Sequence, residues 1–130
     1  MGVSLEETEF ILVTNLIDGC NLHKAIFQKE ILLEAHNKWS IAVDVAKALS
    51  YMYGRCIVHQ DIKPSNVLVT KTYSAHVCDL GVARIQEKLA TIRTSKGTGA
   101  GTIPYKAPEM FTSARRSTPV DMYSFGCLLI

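Results

Sequence analysis

The sequence predicts an α+β unit, mostly helical, with one short strand and a small β-hairpin. Three observations carry this: an amphipathic stretch over residues 39–53, two β-rich runs at 66–70 and 75–78 around a turn-forming tetrapeptide, and an apolar C-terminal stretch opened by Pro119. The chain has 130 residues, 48% hydrophobic and 20% charged, which suits about one domain with a real core.

Taken in order, residues 9–14 read Glu-Phe-Ile-Leu-Val-Thr, a short apolar run with β-branched content that fits a buried strand. Asp18-Gly19 ends it with a turn. Asn21 then caps an expected helix that sets Leu22, Ala25 and Ile26, and later Ile31 and Leu32, near one face, and that ends at Asn37 and Lys38. A second helix follows over 39–53, with Trp39, Ala42, Val45, Ala46, Leu49, Met52 and Tyr53 on its apolar stripe and Asp44, Lys47 and Ser50 off it. Gly54 is expected to close it as a left-handed cap. The hairpin comes next, turning at Lys71-Thr72-Tyr73-Ser74. Residues 86–101 are polar and rich in Gly, Thr and Ser without a period, which reads as a mobile loop. Thr118, Pro119 at a first helical position and Asp121 announce the last helix. It ends in Cys127-Leu128-Leu129-Ile130 without a stop signal, so a domain cut before completion is expected.

Composition excludes several classes. Fourteen Lys plus Arg against twelve Asp plus Glu leave a net charge of +2, and the nearest thing to a basic patch is Arg115-Arg116, so nucleic-acid binding has no support. The longest apolar runs, 10–13 and 125–130, fall far below the ~18 residues of a membrane span. Glu6, Glu7 and Glu9 occupy the place of a secretory signal. Cys20, Cys56, Cys78 and Cys127 form no Cys-x-x-Cys pair, so a zinc site or a disulfide framework is not expected. The chain reads as cytoplasmic, with four reduced, mostly buried thiols.

Three constellations occur in one order: His59-Gln60-Asp61-Ile62-Lys63-Pro64-Ser65-Asn66, then Asp79-Leu80-Gly81, then Ala107-Pro108-Glu109. A fixed His, Asp, Lys and Asn at these spacings arises by chance on the order of once in a thousand such chains. Their residue types suit phosphoryl transfer, which needs a carboxylate to orient a hydroxyl, oxygen ligands for Mg²⁺ and positive charge on the moving phosphate. Asp61 would align or deprotonate the hydroxyl, Lys63 would reach the γ-phosphate, and Asn66 and Asp79 would give the metal hard oxygen ligands. Each also has a duller reading. Asp61 and Asn66 are turn formers, Asp79 before Gly81 is an ordinary turn signal, and His23, His36 and His76 lack metal-like spacing. Asp121, three after Thr118, has the spacing of a capping-box acid.

With these motifs the chain resembles the eukaryotic protein kinases: their catalytic loop, their metal-binding Asp-Phe-Gly and the Ala-Pro-Glu that closes the activation segment. The runs Gly101-Thr102-Ile103-Pro104-Tyr105-Lys106-Ala107-Pro108-Glu109 and Asp121-Met122-Tyr123-Ser124-Phe125-Gly126 are most similar to the tyrosine-kinase-like branch of Ser/Thr kinases, in the style of the receptor-interacting kinases. The resemblance implies the mostly helical C-lobe of the kinase fold, with a hinge strand, a hairpin and no N-lobe, so that residues 1–130 form a partial kinase domain. It implies ATP and Mg²⁺ as cofactors and a protein Ser/Thr hydroxyl as substrate. It puts Thr14 at the guard of the adenine pocket, Asn15, Leu16 and Ile17 at the hinge, Leu68 under the adenine ring, and Thr102 beside Asp61 and Lys63 on the peptide platform. It also makes His59 a packing residue and adds a second reading for Asp121, an anchor that holds the catalytic loop through its backbone amides, which stands level with the capping one.

The sequence departs from the pattern in three places. Gln60 stands where most relatives have an Arg, and cannot offer a charged fork to an activation-loop phosphate at Thr91, Thr94, Ser95 or Thr98. Leu80 replaces Phe and is expected to fill an apolar slot. No Gly-x-Gly-x-x-Gly and no Val-Ala-Ile-Lys occurs, so half of the nucleotide site is absent and this chain alone is expected to bind ATP poorly. The competing class is a non-catalytic kinase-like fragment serving as a binding or scaffold module, against which stand the retained Asp61, Lys63, Asn66 and Asp79.

Overall fold

The computed structural model describes residues 2–5, 10–85, 103–112 and 118–130. Strand β1 (Gly2–Leu5) pairs antiparallel with β2 (Phe10–Val13), in a register that sets Gly2 against Val13 and Leu5 against Phe10. The strand expected over 9–14 is therefore present with a partner the pattern did not announce. Val13, at its end, is 57% exposed rather than buried.

After Asp18 the chain enters β3 (Gly19–Asn21) instead of a bare turn. β3 lies beside β5 (Val67–Thr70), and β5 pairs with β6 (Ala75–Val77), giving the three-stranded order β3-β5-β6. The expected hairpin is the β5–β6 half of this sheet. Gly19 faces Thr70 across the ladder, and a Cβ there would run into the Val69 carbonyl oxygen, so only glycine allows the approach.

Asn21 caps α1 (Leu22–Phe27), its Oδ1 accepting from the Lys24 amide at 2.9 Å. The long helix expected from Leu22 to Asn37 does not form. Lys29 adopts a left-handed φ of 54°, and the chain then runs irregularly to Glu34. Ile31 and Leu33 alternate inward onto the core while Leu32 is 72% exposed, a period of two and not of 3.6. Packing of that alternation overrides the helical spacing.

The long helix α2 (Ala35–Gly54) starts four residues before Trp39, with the Glu34 amide donating to Asn37 Oδ1 at 3.1 Å. Its buried face is Asn37, Ile41, Val45, Leu49 and Met52, at steps of three and four. Trp39 (72% exposed) and Ala46 lie off it, which corrects two members of the expected stripe. Gly54 is the last helical residue and has no left-handed φ. The left-handed position falls at Cys56, with φ 58°, whose amide donates to the Tyr53 carbonyl at 3.0 Å.

Strand β4 (Ile57–Val58) pairs with β7 (Arg84–Ile85), a two-residue ladder not foreseen in the sequence. Helix α3 (Glu109–Thr112) and helix α4 (Pro119–Leu128) complete the described elements. The mobile-loop expectation at 86–101 and the Arg115-Arg116 pair lie outside the described residues.

One core joins Leu22, Ala25, Ile41, Val45, Leu49, Met52, Ile62, Val67 and Val69, so α1, α2 and β5 share it. A second, smaller cluster of Val58, Ala107 and Val120 locks β4 to the segment before α3 and to α4. The catalytic-type motif runs between the two. All four cysteines are free, and each is half-buried rather than fully buried. Leu49 is 1% exposed, so Leu49→Ala should cost about 2–5 kcal/mol in chemical denaturation. Trp39→Ala should stay within about 0.5 kcal/mol, since that side chain is 72% exposed.

Candidate functional site

β4 delivers the chain into His59, Gln60 and Asp61, and the loop closes through a 3₁₀ turn at Pro64–Asn66 into β5. Pro64 suits the first position of such a turn, because its missing N–H is not needed there. Asp61, Lys63 and Asn66 meet directly. Lys63 Nζ lies 2.7 Å from Asp61 Oδ2, and Asn66 Nδ2 donates to the same oxygen at 2.9 Å and to the Asp61 carbonyl, also at 2.9 Å. Lys63 and Asp61 side chains are only 18% and 20% exposed, so their pairing is shielded from bulk water. Because Asn66 directs its NH₂ at two acceptors, its Oδ1 is the face left for a cation.

His59 is fully buried and its two ring nitrogens are both used. The Asp61 amide donates to Nδ1 at 3.3 Å, and Nε2 lies 3.0 Å from the Cys78 carbonyl. An amide only donates and a carbonyl only accepts, so the neutral ring with its proton on Nε2 satisfies both. That ring spans the loop and the strand end before Asp79. The Cys78 amide also donates to the Asn66 carbonyl at 2.9 Å, which extends the β5–β6 ladder by one step and sets Asp79 next to the loop.

Asp79 is exposed, with φ 65° and ψ 69°, and its Oδ1 accepts from the Gly81 amide at 3.3 Å. The exposed carboxylate of Asp79 and the side-chain oxygen of Asn66 are hard donors of the kind Mg²⁺ takes, so the donor set fits that ion. Among the described residues no three His, Cys, Asp or Glu side chains cluster as a metal cage. Burial, and then the charge of Asp79, push the Cys78 thiol up, leaving it protonated and inert.

Leu68 lies on β5 between Val67 and Val69, which are buried in the core, so it points to the opposite face and is half-buried. Asn15, Leu16 and Ile17 occupy the connection between β2 and β3, with Leu16 95% exposed. Thr14 is exposed beside them. Thr102 lies outside the described residues. Leu80 fills no apolar slot among the described residues: it opens the 3₁₀ turn Leu80–Val82 with 56% of its surface exposed, because the left-handed turn at Asp79 directs the chain outward.

The open question at Asp121 is answered by distance. Its Oδ2 accepts from the His59 amide and its Oδ1 from the Gln60 amide, each at 2.7 Å, while the Thr118 side chain makes no cap bond. Asp121 anchors the loop and caps nothing. Burial pushes its carboxyl up, and the hydrogen bonds from Gln60 and His59 pull against that. Gln60, 4% exposed, holds a φ of 69° that a non-glycine residue keeps only when its surroundings impose it.

Ser124 was not singled out by sequence reasoning. Its hydroxyl lies 2.6 Å from the Tyr105 carbonyl and 3.0 Å from that of Val120, tying α4 to the turn at Ile103–Tyr105. The available signal was its spacing, three residues after Asp121 on the same helix face.

A protein kinase domain model matches residues 1–130. The chain belongs to the protein kinase family. It is 38% identical to a probable LRR receptor-like serine/threonine-protein kinase of Arabidopsis thaliana, over 100% of this chain and 24% of that protein. Two probable serine/threonine-protein kinases of Dictyostelium discoideum are 34% and 35% identical, over 99% and 100% of this chain and 14% and 21% of those proteins. The kinase segment thus spans a quarter or less of these relatives, and its resemblance is to Ser/Thr kinases. Among the described residues no helix is long and apolar enough to cross a membrane.

Asp121→Asn should lower the unfolding free energy by about 1–3 kcal/mol, since an amide NH₂ then faces a buried N–H. The pH dependence has a definite sign. With its native pKa raised above 3.8, the folded state holds this proton more tightly than the unfolded chain, so the associated stability is present at low pH and lost as pH rises through the raised value. Urea unfolding at a series of pH values should therefore show the gap between the natural chain and Asp121→Asn narrowing toward neutrality.

Proposed function

We propose that the protein containing this chain is an ATP-dependent Ser/Thr protein kinase, and that residues 1–130 contribute the hinge, the catalytic loop and the activation segment of its kinase domain. The observation that carries this is the close trio Asp61, Lys63 and Asn66, with Lys63 and Asn66 both on Asp61 Oδ2 at 2.7 and 2.9 Å. Family membership supplies the reaction class, and the trio supplies its parts.

Mg²⁺-ATP, when bound, supplies the phosphoryl group and the neutralising charge on its oxygens. Asp61 takes up the proton of the attacking Ser or Thr hydroxyl, or orients it, with its carboxylate turned by Lys63 and Asn66. Lys63 would serve the oxygens of the moving phosphate, and Asn66 Oδ1 and the Asp79 carboxylate would hold the metal. Leu68 would receive the adenine face and Asn15, Leu16 and Ile17 its edge, with Thr14 at the back. The family resemblance assigns Thr102 to the peptide platform beside Asp61. The finer placement in the tyrosine-kinase-like branch rests on the wording of residues 101–109 and 121–126. The four unpaired thiols suit the cytoplasm.

A scaffold reading draws on one observation, the exposed Leu80 beside Asp79. It leaves the Asp61 trio without a purpose.

Asp61→Ala in the parent protein should reduce kcat on a peptide substrate by about 10²–10⁴ with little change in KM for ATP. Asp79→Asn should abolish the thermal shift that Mg²⁺ adds to ATP, and an undiminished shift would falsify its metal role. The buried Gln60 has no guanidinium to meet a loop phosphate, so phosphorylation among Thr91, Thr94, Ser95 and Thr98 should change activity less than about threefold. Gln60→Arg should make activity respond to it. Strong activation of the natural chain that Gln60→Arg leaves unaltered counts against this account.

A further inference from the structure

Tyr53 stands near the end of α2, half-buried against the main core, and is not among the residues assigned to phosphoryl transfer. Its hydroxyl donates to the carbonyl oxygen of Thr118 at 3.1 Å. That oxygen is also the first acceptor of α4, taking the Asp121 amide at 3.1 Å and the Met122 amide at 3.4 Å. Asp121 thus hangs by its amide from the oxygen Tyr53 grips, and its carboxylate holds the His59 and Gln60 amides. The Thr118 side chain makes no cap bond, and the phenol holds the start of α4 in another way, by donating to the backbone oxygen of Thr118.

We propose that Tyr53 is a positioning residue for the catalytic loop: its hydroxyl, through the Thr118 carbonyl, sets where Asp121 meets the His59 and Gln60 amides and hence where Asp61 stands. The linkage joins the C-terminal turn of α2 to the start of α4 through one phenol. A carbonyl can only accept, so the phenol must keep its proton. Burial, with the charge of Asp121, pushes its pKa up to about 12, which keeps the donor intact across the working range of any kinase. The functional half of this inference rests on the phosphoryl-transfer reading, and the geometric half does not.

The test is Tyr53→Phe in the full-length protein, a change that removes one oxygen and keeps the ring. Hydrogen exchange at the His59 and Gln60 amides should quicken about three- to tenfold, the size of one lost hydrogen bond, while the Val45 and Leu49 amides keep their rates. Peptide kinetics should show kcat falling by a similar factor with KM for ATP unchanged. Natural exchange rates at His59 and Gln60 in the variant overturn the inference, and so does a quickening spread evenly along α2. Inactivity of the natural full-length protein would instead defeat the kinase reading, and the exchange result stands without it.

Discussion

The candidate site depends on one fully buried carboxylate. Asp121, with no exposed surface, accepts the consecutive amides of His59 and Gln60 at 2.7 Å each. Charge-assisted bonds of this kind contribute about 1.5–3 kcal/mol apiece, yet burying a lone carboxylate costs several. The raised pKa says that burial outweighs the bonds, so the anionic group is worse off here than in water. Its contribution is geometric. It holds Gln60 in a left-handed conformation and so turns the chain sharply just before Asp61. Removing it would leave two buried N–H groups facing nothing, which makes the arrangement hard to abandon once built.

Helix α4 serves two masters. Asp121 grips the loop that carries Asp61, and Ser124, one turn on, grips the turn that precedes Ala107 and Pro108. The second core cluster repeats the logic in apolar terms, since Val58, Ala107 and Val120 come from the same three segments. Polar and apolar contacts therefore agree on one mutual placement, which is the consistency expected of a site that has to be rigid. On the other side, the neutral ring of His59 spans the loop and Cys78, so Asp61 and Asp79 are referred to a common buried object.

Much of this was legible in the residues, for identifiable reasons. The hairpin was visible because β-rich runs flank four turn formers, and the helix over α2 because its apolar spacing persists for several turns. The Asp61, Lys63 and Asn66 trio was legible because short spacing within one loop forces proximity. What failed had other causes. The helix over 22–37 breaks at Lys29, where no Gly or Pro marks the break, and tertiary packing of Ile31 and Leu33 decides. Trp39 is apolar and yet outward, since amphipathic spacing cannot tell which of two neighbouring stripes meets the core. Strands β1, β3, β4 and β7 escaped notice because none is an apolar run of four, as β2 is, or half of a pair around a turn-forming tetrapeptide, as β5 and β6 are. The role of Asp121 stayed open for a different reason: cap and anchor have identical spacing, and only a contact across 61 and 62 positions separates them.

The two-residue ladder of β4 and β7 has an architectural consequence. It zips together the points where the chain enters and leaves the excursion over 59–83, which contains Asp61, Lys63, Asn66 and Asp79. The hairpin turn 71–74 sits inside that closed excursion, between Asp61 and Asp79. Closure costs rise only with the logarithm of contour length, so lengthening the tip is thermodynamically cheap. Residues added at this turn would therefore leave Asp61 and Asp79 in register.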